Sequence, residues 1–170
     1  MAIEVGELAA RISKLPPLAG STRVIAIDGA AGSGKTTLAA RLGEQLAGSF
    51  VLNTDQLYYG WDGLAEGSRR LVDDVLRPLS EGEVATVRAW DWSAASEAEP
   101  RAVPSCETLI VDGAGCGSRA AAEFLSMIIW LDAEPEVRQR RALDRDGEMF
   151  APHWERWAEQ ERQLFELEQT

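Results

Sequence analysis

One histidine, one asparagine, two cysteines and two lysines are all that this 170-residue chain holds of those types, and each scarcity excludes something. His153 with Cys106 and Cys116, and no C-x-x-C pair, cannot build a His/Cys metal site. The two cysteines read as reduced, half-buried residues rather than as a disulfide. No apolar run reaches the roughly 18 residues of a membrane helix. The N-terminal MAIEVGELAARISKL reads as an acidic amphipathic helix, not a signal peptide, so the expectation is a cytoplasmic protein with no membrane partner. Positive charge is short as well: 17 Lys and Arg face 28 Asp and Glu, a net charge of −11 that repels nucleic-acid phosphates.

An apolar fraction of 45% with 26% charged residues belongs to an ordinary globular chain, and 170 residues suffice for a single domain with a core. Short β-runs alternate with helical periods. RVIAID (23–28), FVLNTD (50–55), VATVRAW (84–90), TLIVDG (108–113) and MIIWLD (127–132) read as strands. Residues 37–47, with Leu38, Leu42 and Leu46, read as a helix packed on a sheet. Further helices are expected at 64–79, stopped near Pro78, at 120–125, and at 135–146 with Pro135 in its first turn. After the loop GEMFAP a last helix follows, docked through Trp154, Trp157 and Glu161. DWSAASEAEPRAVPS (91–105) reads as an irregular surface loop. The pattern predicts an α/β fold, a three-layer sandwich whose central, mostly parallel sheet is covered by helices on both faces. Residues 1–20 form its N-terminal helix and lead-in.

Of seventeen basic residues fifteen are arginine, yet the glycine-rich stretch after the first strand carries Lys35. A compact ammonium reaches between phosphate oxygens where a planar guanidinium does not. Gly29-Ala30-Ala31-Gly32-Ser33-Gly34-Lys35-Thr36 fits G-x-x-x-x-G-K-[ST] at every fixed position, between a strand and a helix. Such a loop turns its N–H groups toward phosphate at the positive end of the helix. Lys35 would span the β- and γ-phosphates and the Thr36 hydroxyl would ligate Mg²⁺. With Thr37, these residues are the expected site for ATP and Mg²⁺; preference between ATP and GTP stays open.

Two aspartates at strand ends add chemistry. Asp112 closes TLIVDG, where it can hold Mg²⁺ directly or through water. Asp112-Gly113-Ala114-Gly115 also spells the D-x-x-G of GTPases, but the sole asparagine, Asn53, leaves no N-K-x-D guanine reader. A motor is disfavoured by length. Asp55 closes the second strand, on the rim of the sheet where ligands bind, and can accept a proton from a hydroxyl attacking the γ-phosphate. Tyr58, Tyr59 and Trp61 follow it with flat faces for a ring-containing acceptor.

From about residue 23 to 146 the chain resembles the uridine kinase family of P-loop small-molecule kinases. The match runs through the P-loop, Asp55-Gln56-Leu57-Tyr58, Trp61-Asp62, Glu81-Gly82-Glu83-Val84, Trp90-Asp91-Trp92, Asp112-Gly113 and Arg138-Gln139-Arg140-Arg141-Ala142-Leu143-Asp144-Arg145-Asp146. The resemblance implies Asp55 as general base and a Mg²⁺ set of Thr36, Asp112 and Asp55, with Asp112 in place of the family's glutamate. It implies Tyr58 and Asp62 as acceptor contacts and Trp90 as a wall of the acceptor pocket. It places Arg138 and Arg141 on a lid, residues 135–152, meeting phosphate charge, while Arg140 reads as solvated. The catalytic set is then Asp55, Lys35 and Arg141. The family's F-D-H-P histidine and the histidine after its Y-D-F have no counterpart here. His153 reads as a cap or packing residue. Many P-loop kinases return to the sheet after the lid, whereas ELEQT ends this sequence, which leaves open a short domain or a missing stretch.

The expectation is a kinase that moves the γ-phosphate of ATP to a hydroxyl of a small metabolite, a nucleoside favoured. A cytidylate-like nucleoside monophosphate kinase and a non-catalytic ATP-binding regulatory protein are the alternatives. A homo-oligomer is compatible with any of them.

Overall fold

RVIAID, apolar everywhere but at its ends, forms β1 (Arg23–Asp28), and TLIVD forms β5 (Thr108–Asp112), buried along its whole length. They lie side by side and parallel in the computed structural model, which describes residues 4–169. On the far side of β5 runs β2 (Ser49–Asn53), on the far side of β1 runs β6 (Met127–Trp130), and every pairing in this four-stranded sheet is parallel. Successive residues of a strand point to opposite faces, so β1, β2 and β5 each supply two cores, whereas β6 packs Met127 and Ile129 on one face and exposes Ile128 and Trp130 on the other. Ile25, Ile27 and Ile110 face α1 (Val5–Ile12) and α2 (Lys35–Gln45), packed under Leu8, Ile12, Ala39 and Leu42. Val24, Ala26, Leu109 and Val111 face a second helical layer. Helices on both faces of a parallel sheet are the three-layer sandwich that the sequence pattern predicts.

That second layer is one continuous helical stretch with a defect. α3 (Leu64–Arg70) passes into a π-helical segment, Leu71–Leu76, and then into α4 (Arg77–Ser80). The wider π turn lets Leu71, Val72, Val75 and Leu76 all reach the core. The stretch ends at Ser80, two residues after Pro78, close to the stop expected there.

The stretch at 91–105 corrects the sequence reading. β3 (Thr86–Asp91) and β4 (Ser96–Ala102) pair antiparallel as a separate two-stranded ribbon, turned at Ala95 with φ 49°. β3 therefore does not join the central sheet. Every residue of β4 is exposed, so no apolar alternation marks it in the sequence, and Pro100 is tolerated because β4 is an edge. The helix expected at 120–125 is only a short 3-10 turn, Ala122–Phe124.

The helix expected at 135–146 is α5 (Pro135–Phe150), broken at Gly147 with φ 55° where the loop GEMFAP is predicted to begin. A 3-10 turn leads into α6 (Trp154–Glu168), which docks as expected through buried Trp154, Trp157, Glu161 and Leu164. Cys106 and Cys116 are free. Among the described residues the predicted N-terminal helix is α1, and residues 1–3 of that prediction lie outside them. Among the described residues no helix is long and apolar enough to cross a membrane.

Leu109 lies at the centre of the sheet with no exposed surface. Leu109→Ala should lower unfolding free energy by about 2–5 kcal/mol, the usual cost of such a cavity, read as a shift in urea midpoint at unchanged slope.

Candidate active site

The register fixes the site. Ile27, Asp112 and Asn53 stand level across β1, β5 and β2, so Asp28, Asp112 and the turn carrying Asp55 leave the sheet at one rim. β1 is flanked by β5 and β6, and its chain crosses over α2 to β2, so the ends of β1 and β5 mark a switch point where open α/β sheets bind ligands. A cavity of about 890 Å³ opens there.

One wall is the glycine loop. Gly29, Gly32 and Gly34 take φ values of 136°, 78° and 102°, which side-chain-bearing residues avoid. A Cβ on Gly32 would also run into the carbonyl of Arg138, because the start of α5 packs directly on the loop. Asp28 anchors the turn. Its carboxylate accepts from Gly29 N at 2.6 Å, Gly115 N at 2.9 Å and Gly117 N at 2.8 Å. Burial pushes this carboxyl up from its ordinary range, and the three amides and Lys35 pull the other way. Lys35, buried at the N-terminus of α2, donates Nζ to Ala30 O at 3.0 Å. Gly32, Gly34, Lys35, Thr36 and Thr37 line the cavity with Ala31 beside them.

Asp112 is 1% exposed; its Oδ2 accepts from Asn53 Nδ2 at 2.9 Å while its Oδ1 is buried with no hydrogen-bond partner. Burial raises its pKa against the neighbouring Thr36 hydroxyl and Asn53 amide. An orphaned carboxylate oxygen beside a threonine hydroxyl, with Asp55 on the same cavity, is an all-oxygen set that suits Mg²⁺. No group of three His, Cys, Asp or Glu side chains among the described residues could cage a metal alone. A Mg²⁺ ion here would therefore complete its shell with phosphate and water. Asp55 lines the cavity with an exposed side chain although much protein lies around it; that enclosure raises its carboxyl, and Arg145 and Lys35 draw it down.

The remaining expected residues divide. Arg141 of α5 lines the cavity. Arg138 does not: it donates Nε to Ala133 O at 3.0 Å and reaches Ala31 O with Nη1. Tyr58 touches the cavity with its ring, but its hydroxyl is committed, bonded to Ala114 O at 2.8 Å and to the Thr54 hydroxyl. It is a packing residue, closed against Trp157 with ring centroids 5.1 Å apart. Asp62 lies outside, ion-paired with Arg156 of α6. Trp90 is also outside, stacked on Tyr59 at 5.3 Å, and the wall expected from it is Trp92, whose indole N–H bonds Asp55 O at 3.1 Å. The turn after β3 decides which tryptophan faces inward, and its geometry has no signature in the sequence.

Several contributors carry no such expectation. Arg145, held by Asp146 through bonds of 2.8 and 2.6 Å, stands in the cavity near the end of the Arg138–Asp146 stretch that carries the family resemblance, which was its available signal. Its pKa is raised first by that bond and then by Asp55 and Asp112. Trp61, whose flat face the sequence offers to a ring, does line the cavity; Phe150 and Trp157, which carry no such expectation, complete an aromatic wall with it, Trp61 lying parallel to Phe150 at 5.5 Å and to His153 at 4.3 Å. Glu161 of α6 closes the cavity over the loop, and helical periodicity shows only that it faces inward.

Residues 25–159 match the model of a family described as AAA domain. No curated protein matches. Two solved structures share the fold at 18% identity each. One is a possible uridine kinase from Bacillus stearothermophilus, TM-score 0.69, with 97% of this chain and 91% of that chain covered. The other is a candidate fructose transport system kinase from Silicibacter sp. TM1040, TM-score 0.67, with 92% and 88% covered.

Removing the Tyr58 hydroxyl leaves the Ala114 carbonyl and Thr54 without their partner inside the protein. Tyr58→Phe should lower stability by about 1–3 kcal/mol in urea titration, the usual cost of an unmade buried hydrogen bond.

Proposed function

The chain belongs to the AAA domain family, and on that premise we propose that it transfers the γ-phosphate of ATP, with Mg²⁺, to a hydroxyl of a small metabolite. The observation that carries this reading is the placement of Asp55. A binding module needs the loop, Lys35, Thr36 and Asp112; it has no use for a second carboxylate opening into the same cavity beside an aromatic wall.

In this reading the loop N–H groups and Lys35 hold the phosphates in line. Asp55 accepts the proton of the attacking hydroxyl, and Arg141 and Arg145 stabilise charge as it spreads over the transferred group. Bound Mg²⁺, held by Thr36 and Asp112 with Asp55 within the same set, would supply charge neutralisation across the phosphates. α5, already seated on the loop at Gly32, would act as the lid of residues 135–152 and exclude water. Trp61, Trp92 and Phe150 offer flat faces to the acceptor, which favours a ring-bearing one such as a nucleoside. The same fold in a possible uridine kinase supports this class. Two arginines in the cavity, Arg141 and Arg145, favour as second reading a nucleoside monophosphate acceptor.

The test is ADP release from ATP and Mg²⁺ across nucleosides, nucleoside monophosphates and small alcohols. One acceptor should raise the rate well above background. Asp55→Asn should lower kcat by about 10²–10⁴-fold, as expected for loss of a general base. Turnover with monophosphates alone would move the assignment to the second reading. ATP binding with a flat panel and no effect of Asp55→Asn would leave a regulatory ATP-binding protein.

A further inference from the structure

Two carboxylates bond the backbone of the glycine loop, and they are not equivalent. Asp28 spreads its charge over three amides. Glu161, 3% exposed, comes from α6, far along the chain; its Oε1 accepts from Ala31 N at 2.7 Å and from Trp157 Nε1 at 2.9 Å. No ion pair reaches it among the described residues. The nearby ammonium of Lys35 is directed to Ala30 O instead. A buried anion therefore borders the cavity on which Lys35 and Thr36 also open.

Such a group has two opposed effects. Its hydrogen bond ties α6 to the loop and holds Ala31 in place before any ligand arrives. Its charge, buried in protein at the cavity wall, repels phosphate placed in the cavity. We propose that Glu161 is a positioning residue that sets nucleotide affinity, shaping the phosphate loop through Ala31 while its charge keeps bound polyphosphate from being held too tightly. This rests on the reading that the loop binds a nucleoside polyphosphate, and it adds a role for α6 in that site. Tight product binding slows release, which limits many kinases, so a fixed opposing charge favours turnover.

The charged groups facing Glu161 are Lys35 from α2 and Arg138 from α5; burial raises its carboxyl, and these two with the Ala31 and Trp157 N–H groups hold it down. Arg141, Arg145, Asp55, Asp112 and Asp146 share the cavity and are present alike in wild type and in Glu161→Gln, so they largely drop out of a ratio between the two.

The experiment is equilibrium binding of a methylanthraniloyl-ADP probe with Mg²⁺, at pH 8 and pH 5, to wild type, Glu161→Gln and Glu161→Leu. Glutamine keeps the acceptor oxygen and loses the charge. It should bind the probe about tenfold more tightly than wild type at pH 8, the size of one pKa unit of charge interaction. The advantage should be smaller at pH 5 than at pH 8, because burial favours the protonated wild-type carboxyl, which resembles glutamine. Glu161→Leu, which loses both hydrogen bonds, should bind less tightly than Glu161→Gln and melt at a lower temperature than wild type. A purely structural role moves melting temperature without tightening binding. Equal or weaker binding by Glu161→Gln at pH 8 overturns the proposal alone. Wild type that binds no probe overturns the nucleotide reading and this proposal with it.

Discussion

The site hangs on one buried carboxylate. Asp28, 1% exposed at the end of β1, receives amides from two separate turns, the glycine loop after β1 and the Gly113–Gly117 turn after β5. An aspartate in that position is costly to bury unless its charge is met, and three N–H groups meet it. In return both turns are held in conformations that few sequences adopt. Gly113 and Gly115 take φ values of 153° and 78°, and a Cβ at Gly117 would meet Asp28 Oδ2 at 3.0 Å. The glycine loop and the turn that follows Asp112 are thus fixed relative to each other.

Around that knot the charges are distributed with care for a chain of net charge −11. Cations gather where the surface as a whole is acidic: Lys35, Arg141 and Arg145 open on the cavity. Lys35 rests on a carbonyl, Arg145 is clamped by Asp146, and the carboxyls of Glu161 and Asp112 line the same cavity. Polyphosphate with Mg²⁺ would exchange these internal partners for external ones. Fixed dipoles and charges of this kind need little rearrangement when charge develops, which is how phosphoryl transfer is assisted without covalent chemistry.

The glycine loop was legible because backbone conformation demands it: positive φ at three positions leaves no alternative to glycine, and Lys35 and Thr36 follow at fixed spacing. The buried strands were legible because parallel strands covered on both faces are apolar throughout. β4 was not, since an exposed ribbon has no core to write itself into the pattern. Nor were the roles of Tyr58 and Trp90, because an aromatic residue near a site reads the same whether its polar end faces ligand or a carbonyl. Tyr58 uses its hydroxyl on Ala114, and Trp90 uses its face on Tyr59.

By itself the sequence determined the layer order, the phosphate loop and the two rim aspartates, all of which depend on neighbours within a few residues or on strand periodicity. Only the tertiary structure decided which side chains of α5 and α6 enter the cavity, which tryptophan walls it, and that Glu161 bonds a loop amide 130 residues away in sequence. The reason is physical: a local motif constrains its own backbone, whereas a contact between distant segments is set by how whole layers pack, and many different residues satisfy the same packing.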